Sequence, residues 1–178
     1  MVDVTVILFC PICEAFWNEG DEPGCSDTGH GHQRFERHRH RTPVVLPDGT
    51  TVVAVSFEDA DPYGRDDAPA FGLYLDERWA PPWPHEVVAW PDFGVPDDRD
   101  AAVASLRSAL DRARAGEQVE VGCLGAHGRT GTALAAMAVL AGHPPADAVA
   151  WVREHYCDRA VETDQQADFV ADLPTASR

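Results

Sequence analysis

Two short segments of the chain carry residue types that suit chemistry on a phosphate ester. The first is C-L-G-A-H-G-R-T, in which Cys123 precedes Arg129 by six residues and Thr130 follows directly. A cysteine thiolate is a nucleophile, and a guanidinium binds two oxygens of a phosphate at once. The second segment is W-P-D-F-G-V-P. Its prolines restrict the backbone and its glycine permits a hinge, as in a loop around Asp92 that closes over a site. The residue types therefore suit a thiolate nucleophile that faces a phosphate.

The elements around the first segment predict an anion site. V-E-V, from Val119, reads as a short strand, and residues 129–141 read as a helix that is apolar nearly all round and hence buried and central. A loop with glycines that leads from a strand into a helix points several backbone N–H groups at one spot, and the helix N-terminus adds positive charge. We expect a phosphate to bind there, between Cys123 and Arg129.

The second segment is predicted to meet the first. Asp92 follows a strand at V-V-A-W, residues 87–90, and one helix, capped by Asp97 or Asp98 and ending near Ala115, separates it from the strand before Cys123. We expect the two strands to pair as a right-handed β-α-β unit, with both loops at the carboxyl edge of the sheet.

The rest of the pattern predicts an α/β protein. A hairpin is expected around Pro47-Asp48-Gly49, a strand at F-G-L-Y-L-D, and helices over residues 145–156 and 164–172. Strands that alternate with helices predict a three-layer sandwich, with a central, mostly parallel sheet flanked by helices.

The charge of the chain argues against two classes of binding partner. The 30 acidic residues outnumber the 14 lysines and arginines and give a net charge of −16. Because nucleic acids and anionic membranes are polyanions, neither is an expected partner. No apolar run is long enough for a membrane span and the start lacks a basic signal region, so we expect a cytoplasmic protein.

Residues 1–43 differ in composition from residues 44–178 and are predicted to form a Cys/His-rich extension of the main domain. C-P-I-C resembles a zinc knuckle, and the expected ligands of a structural zinc are Cys10, Cys13, Cys25 and His30, with His32, His38 and His40 as alternates. The alternative is a disordered, His-rich leader with reduced thiols.

Three motifs in this order resemble the cysteine-dependent protein tyrosine and dual-specificity phosphatases: W-P-D-F-G-V-P, C-L-G-A-H-G-R-T-G and V-E-T-D-Q-Q-A-D-F-V, residues 161–170. The likeness covers residues 44–172. It implies that Cys123 attacks phosphorus and forms a phosphocysteine, that Asp92 is the acid and then the base, and that Thr130 hydrogen-bonds the thiolate. It also implies no cofactor for catalysis and a phosphate held by the loop of Leu124, Gly125, Ala126, His127, Gly128 and Arg129.

Four positions depart from the family or keep two interpretations. Gly122 stands where the family usually has histidine, and Ala126 stands where glycine is commoner, at a steric cost if φ is positive there. His127 is either a cation for an anionic substrate or a solvent-facing loop residue. Gln166 either positions water or forms a capping box with Thr163, which we favour.

The leading hypothesis is a phosphomonoester hydrolase that acts on phosphotyrosine or a related monoester. The expected partner is thus a phosphorylated protein or a small phosphomonoester. The alternatives are a phosphatase of a small phosphorylated metabolite or phosphoinositide, and a catalytically inactive phosphate-binding module. The presence of Asp92 argues against the last, because a binding module needs no acid.

Overall fold

The computed structural model describes residues 2–10, 16–21, 32–57 and 67–174. The chain divides into two compact units, Met1–Arg39 and His40–Arg178. In the first unit, β1 (Val2–Phe9) pairs antiparallel with β2 (Phe16–Asn18). Strand β3 (Gln33–Val45) begins in the first unit, and its residues from His40 onward belong to the second.

The second unit is built on a sheet whose described strands follow the order β3-β4-β7-β5-β6. The four strands after β3 are β4 (Thr51–Ser56), β5 (Phe71–Tyr74), β6 (His85–Val87) and β7 (Val119–Cys123). Strands β3 and β4 form the predicted antiparallel hairpin, and the other three pairings are parallel. The mostly parallel sheet is therefore confirmed.

Four α-helices flank this sheet in the described part of the unit: α1 (Arg99–Arg114), α2 (Gly128–Leu140), α3 (Ala148–His155) and α4 (Asp164–Ala171). A 3-10 turn, Pro145–Asp147, precedes α3. Every residue of α2 is buried, as its all-round apolar sequence predicts. Asp98 and Thr163 cap α1 and α4 by accepting N–H groups of Ala101 and Gln166. None of the helices in the described ranges is long and apolar enough to cross a membrane.

The predicted pairing of the strands before Asp92 and Cys123 is wrong. Strand β6 ends at Val87, and β5 lies between it and β7. Burial supplies the reason, because all four residues of β5 are buried, whereas β6 is partly exposed and lies at the edge. All three strands remain parallel, so their carboxyl ends still share one edge of the sheet.

Candidate active site

The loop predicted to bind phosphate, residues 123–129, runs from the last residue of β7 into the first turn of α2 and is called the phosphate loop below. Ala126 is fully buried and has a φ of 57°, so this alanine adopts the left-handed conformation that favours glycine. The hydroxyl of Tyr156 donates a hydrogen bond of 2.6 Å to the Ala126 carbonyl. Burial, and then the neighbouring Cys123 and Cys157, raise the pKa of Tyr156 well above its ordinary value, so the hydroxyl stays a donor.

Cys123 lies at the bottom of a cleft of about 220 Å³. Its side chain is only 3% exposed, and the Thr130 Oγ1 lies 3.1 Å from its Sγ. The cleft brings together residues from the phosphate loop, from the loop after β6 and from the segment before α4. They are Asp92, Phe93, Cys123, Leu124, Gly125, His127, Gly128, Arg129 and Glu162.

Arg129 is buried and is held by protein atoms at both terminal nitrogens. Its Nη1 donates to the carbonyls of Leu75 at 3.0 Å and Trp90 at 3.2 Å. Its Nη2 lies 3.1 Å from Asp76 Oδ2 and 3.2 Å from Asp92 Oδ1. Its buried Nε–H has no acceptor among the described residues. The two terminal nitrogens are therefore fixed in place, and Nε–H is the one guanidinium donor without an acceptor among the described residues.

Asp76, which the sequence analysis missed, pairs with this arginine. Its carboxylate is 5% exposed and accepts two further hydrogen bonds from the Arg78 guanidinium, of 2.8 and 2.6 Å. Those bonds, aided by the Arg78 N–H and the Arg129 charge and opposed by burial, lower the pKa of Asp76 from 3.8 to about 2. The available signal was its position, because Asp76 follows β5 at the same sheet edge as Cys123.

Asp92 occupies a tight turn above the cleft. The turn closes with a hydrogen bond from Gly94 N–H to the Pro91 carbonyl, and Phe93 within it has a φ of 57°. Buried Trp90 donates its indole N–H to the Gly94 carbonyl at 2.9 Å. The Asp92 side chain is 58% exposed, so the carboxylate that pairs with Arg129 also reaches solvent.

Gln166 fastens this turn to α4. Its buried amide accepts the Glu162 N–H at 2.8 Å and donates to the Gly94 carbonyl at 3.3 Å. Its backbone N–H donates to Thr163 Oγ1 at 3.3 Å, as in the N-terminal half of a capping box. Gln166 does not line the cleft, so this geometry favours the capping interpretation over water positioning.

Glu162 is a second carboxylate of the cleft that the sequence analysis missed. It accepts the backbone N–H of Gly128, and a Cβ at Gly128 would overlap its carboxylate. Burial, and then the charge of Asp92, raise the pKa of Glu162 above its ordinary value. Nothing in the sequence pointed to Glu162 beyond its place in V-E-T-D-Q-Q.

Gly122, which precedes the nucleophile candidate, has no space for a side chain. A Cβ there would lie 2.6 Å from both the Cγ2 and the carbonyl oxygen of Val55, and 2.9 Å from a ring carbon of Phe57. Real Cβ atoms do not approach backbone this closely. The packing of β4 against β7 therefore explains why glycine, and not histidine, stands at this position.

The zinc site predicted in the extension falls largely outside the described residues. Cys10 is buried in the first unit, and Cys13, Cys25 and His30 lie outside the described residues. The alternate ligand His40 belongs to the second unit, where its Nε2 lies 3.2 Å from the Nε2 of His127. His127 thus lines the cleft and also contacts His40.

Comparison with known proteins found no matching family profile. Two uncharacterized proteins of Methanocaldococcus jannaschii match over 111 residues, which is 55% of this chain. MJ0215 is 36% identical and is covered over 66% of its length, and MJECL20 is 37% identical and is covered over 71%.

Solved structures of phosphatases share the fold. The active form of Tk-PTP superposes with a TM-score of 0.57 at 24% identity, over 73% of this chain and 95% of Tk-PTP. Kinase-associated phosphatase, with its catalytic cysteine replaced by serine, gives 0.61 at 11% identity, over 74% and 92%. A mouse dual-specificity phosphatase complexed with zinc tungstate gives 0.57 at 14%, over 84% and 90%. The chain therefore belongs to the family of the archaeal protein MJECL20, and its fold is that of the cysteine-dependent protein tyrosine and dual-specificity phosphatases.

Proposed function

We propose that the chain hydrolyses phosphomonoesters through a phosphocysteine intermediate. The observation that carries this proposal is the meeting of a thiol, a fixed guanidinium and a carboxyl group in one cleft, from Cys123, Arg129 and Asp92. The three residue types supply a nucleophile, a clamp for phosphate oxygens and a proton donor.

In the first step the Cys123 thiolate attacks phosphorus from the bottom of the cleft. A sulfur–phosphorus bond forms, and the bond from phosphorus to the ester oxygen breaks. Protonated Asp92 gives its proton to that oxygen, so the leaving group departs as a neutral alcohol or phenol. Thr130 stabilises the thiolate by donating the hydrogen bond that spans 3.1 Å.

In the second step water attacks the phosphocysteine. Asp92, now a carboxylate, takes a proton from the water, and the sulfur–phosphorus bond breaks to give inorganic phosphate and the Cys123 thiolate. Asp92 thus regains in the second step the proton that it gave up in the first, and the cycle ends with the acid ready for the next substrate. The Asp92 side chain is 58% exposed, so the attacking water can reach its carboxylate.

Arg129 holds the phosphate through both steps. Its Nε–H and the N–H groups of the phosphate loop are the donors for the phosphate oxygens, whose charge must be stabilised in the transition state. Asp92 contacts the same guanidinium, with its Oδ1 3.2 Å from Nη2. A bound phosphate competes with Asp92 for Nη2, so binding frees the carboxyl group to approach the leaving oxygen.

The mouth of the cleft favours an aryl ester such as phosphotyrosine. Phe93 lines the cleft beside Asp92 and its side chain is 60% exposed, which offers an apolar surface to the leaving group. A small phosphorylated metabolite is the alternative substrate, and a phosphoinositide ranks below it because the chain carries a charge of −16.

Turnover of two substrates by matched variants tests the proposal. Cys123→Ser should abolish hydrolysis and keep phosphate-mimic binding. Asp92→Asn should slow a poor leaving group by roughly 10²–10⁴-fold, and a nitrophenyl phosphate much less, because nitrophenolate departs without a proton.

Each outcome has a definite meaning. Residual turnover by Cys123→Ser beyond trace levels would exclude the thiolate mechanism. Equal losses by Asp92→Asn on the two substrates would remove Asp92 as the acid. Tight phosphate binding without turnover of phosphopeptides, sugar phosphates or phosphoinositides by the unmodified chain would identify an inactive phosphate-binding module instead.

A further inference from the structure

Three residues of metal-binding types, two histidines and one cysteine, converge at the phosphate loop. They are His40 from β3, His127 from the phosphate loop and Cys157 from the segment after α3, all within the second unit. One ligand atom of each lies within 4.8 Å of the others. His40 and Cys157 are buried and His127 is half-buried.

The two imidazoles already have the separation of metal ligands. Their Nε2 atoms lie 3.2 Å apart, and the rings are nearly perpendicular, at 83°. Two nitrogens bound at about 2.0 Å to a tetrahedral zinc would be about 3.3 Å apart. The Cys157 sulfur would have to move about an ångström toward the two imidazoles to bind the same zinc ion, since a zinc–sulfur bond is about 2.3 Å long.

We propose that His40, His127 and Cys157 bind one Zn²⁺ ion. Two imidazole nitrogens and one thiolate are ligands that zinc prefers, and a fourth position remains for water or another small ligand. This site differs from the one predicted in the extension, where His40 was only an alternate ligand. The alternative for the same geometry is a hydrogen bond between two neutral imidazoles, without metal.

The position of the site gives the metal a structural role. It would connect the middle of β3, the phosphate loop and the segment after α3, which are distant in sequence. Because His127 lies between Cys123 and Arg129 in the phosphate loop, a metal on its Nε2 would restrain that loop. The proposal does not depend on the hydrolytic activity, since it concerns binding alone.

Cobalt(II) replaces zinc as a spectroscopic probe, because a bound thiolate gives it a charge-transfer band in the near ultraviolet. The test uses the full chain without a histidine tag, with Cys10, Cys13 and Cys25 changed to serine, so that the extension contributes no thiolate. This triple variant should bind one Co²⁺ with a thiolate band. Adding Cys123→Ser should leave the band intact, whereas adding Cys157→Ser should abolish it.

His40→Asn in the same background should weaken binding at least tenfold and remove the rise in melting temperature that Zn²⁺ produces in the triple variant. Iodoacetamide labelling with and without Zn²⁺ supplies a readout that needs no change at Cys157: the metal should protect Cys157 from alkylation. Because Cys157 is buried, the labelling is run in mild urea that leaves the chain folded but allows measurable alkylation without Zn²⁺. A triple variant that binds no Co²⁺, a band that survives Cys157→Ser, or equal and measurable rates of Cys157 alkylation with and without Zn²⁺ would overturn the proposal.

Discussion

Asp76 is the residue whose replacement most directly probes how Arg129 is held. Its carboxylate is 5% exposed and lies 3.1 Å from the Arg129 Nη2. Asp76→Asn keeps the size of the side chain and removes the negative charge. The arginine would then retain Asp92 as its remaining carboxylate partner, together with two backbone carbonyls. We expect lower stability and slower turnover, since a buried cation loses half of its charge compensation.

The size of the stability loss follows from the pKa. The hydrogen bonds from Arg78, and to a smaller extent the Arg129 charge, lower the pKa of Asp76 from 3.8 to about 2. That shift corresponds to at most about 2 kcal/mol of unfolding free energy at neutral pH, because the Arg78 side chain is largely exposed and solvent screens its charge. Because the folded-state pKa is depressed, this contribution is complete above the unfolded value of 3.8 and is lost as the pH falls toward 2. At pH 3 it should have shrunk to about 1 kcal/mol.

Urea unfolding followed by tryptophan fluorescence, at several pH values between 3 and 7, measures this difference directly. Asp168→Asn is the matched control, because Asp168 is an exposed carboxylate on α4; it should change stability by less than about 0.5 kcal/mol throughout. A deficit of Asp76→Asn that is the same at pH 3 and pH 7 would refute the electrostatic reasoning and indicate a packing effect.

Two further substitutions test the phosphate loop and the strand before it. Gly122→Ala should lower the free energy of unfolding in urea by about 2 kcal/mol, because its Cβ would lie 2.6 Å from the Val55 carbonyl oxygen. Gly125→Ala is the control, since the nearest atom to its Cβ would be 3.4 Å away. Equal effects of the two substitutions would contradict this packing argument. Arg129→Lys should lower kcat/KM by about 100-fold or more, since lysine keeps the charge but not the two-pronged geometry; near-normal turnover would remove the clamp role.

The local parts of the site could be predicted from the sequence because local patterns determine them. The strand–loop–helix around Cys123, the caps Asp98 and Thr163, and the turn around Asp92 each depend on a few adjacent residues. Ala126 is a further local case. A steric cost was expected there if its φ is positive, and φ is 57°.

The long-range parts could not be predicted, because periodicity does not specify strand order. Strand β5 lies between β6, which precedes Asp92, and β7, which ends at Cys123, and Asp76 just after β5 reaches Arg129. The sequence spacing likewise gave no reason to place Glu162 in the cleft or His40 beside His127. The absence of histidine before Cys123 is also a long-range effect, because Val55 of another strand fills that space.

The cleft carries two carboxyl groups, although the proposed substrate is an anion. Arg129 is the permanent cation among the described residues that line it, whereas Asp92 and Glu162 are both acidic. The proposed mechanism requires Asp92 to be protonated in its first step, but it gives Glu162 no proton to transfer. We therefore expect the Glu162 carboxylate to weaken anion binding.

Glu162→Gln tests this expectation, because glutamine still accepts the Gly128 N–H and carries no charge. The inhibition constant of sulfate, whose charge stays at −2 over the range used, should fall about fivefold at pH 7.5, equivalent to about 1 kcal/mol for charges several ångströms apart near a surface. The difference between glutamate and glutamine should shrink as the pH falls through the raised pKa of Glu162, since the protonated acid no longer repels the anion. Asp168→Asn should leave the constant unchanged. An unaltered inhibition constant for Glu162→Gln at pH 7.5 would mean that the carboxylate does not act on the bound anion, and its hydrogen bond to Gly128 would then be its whole contribution.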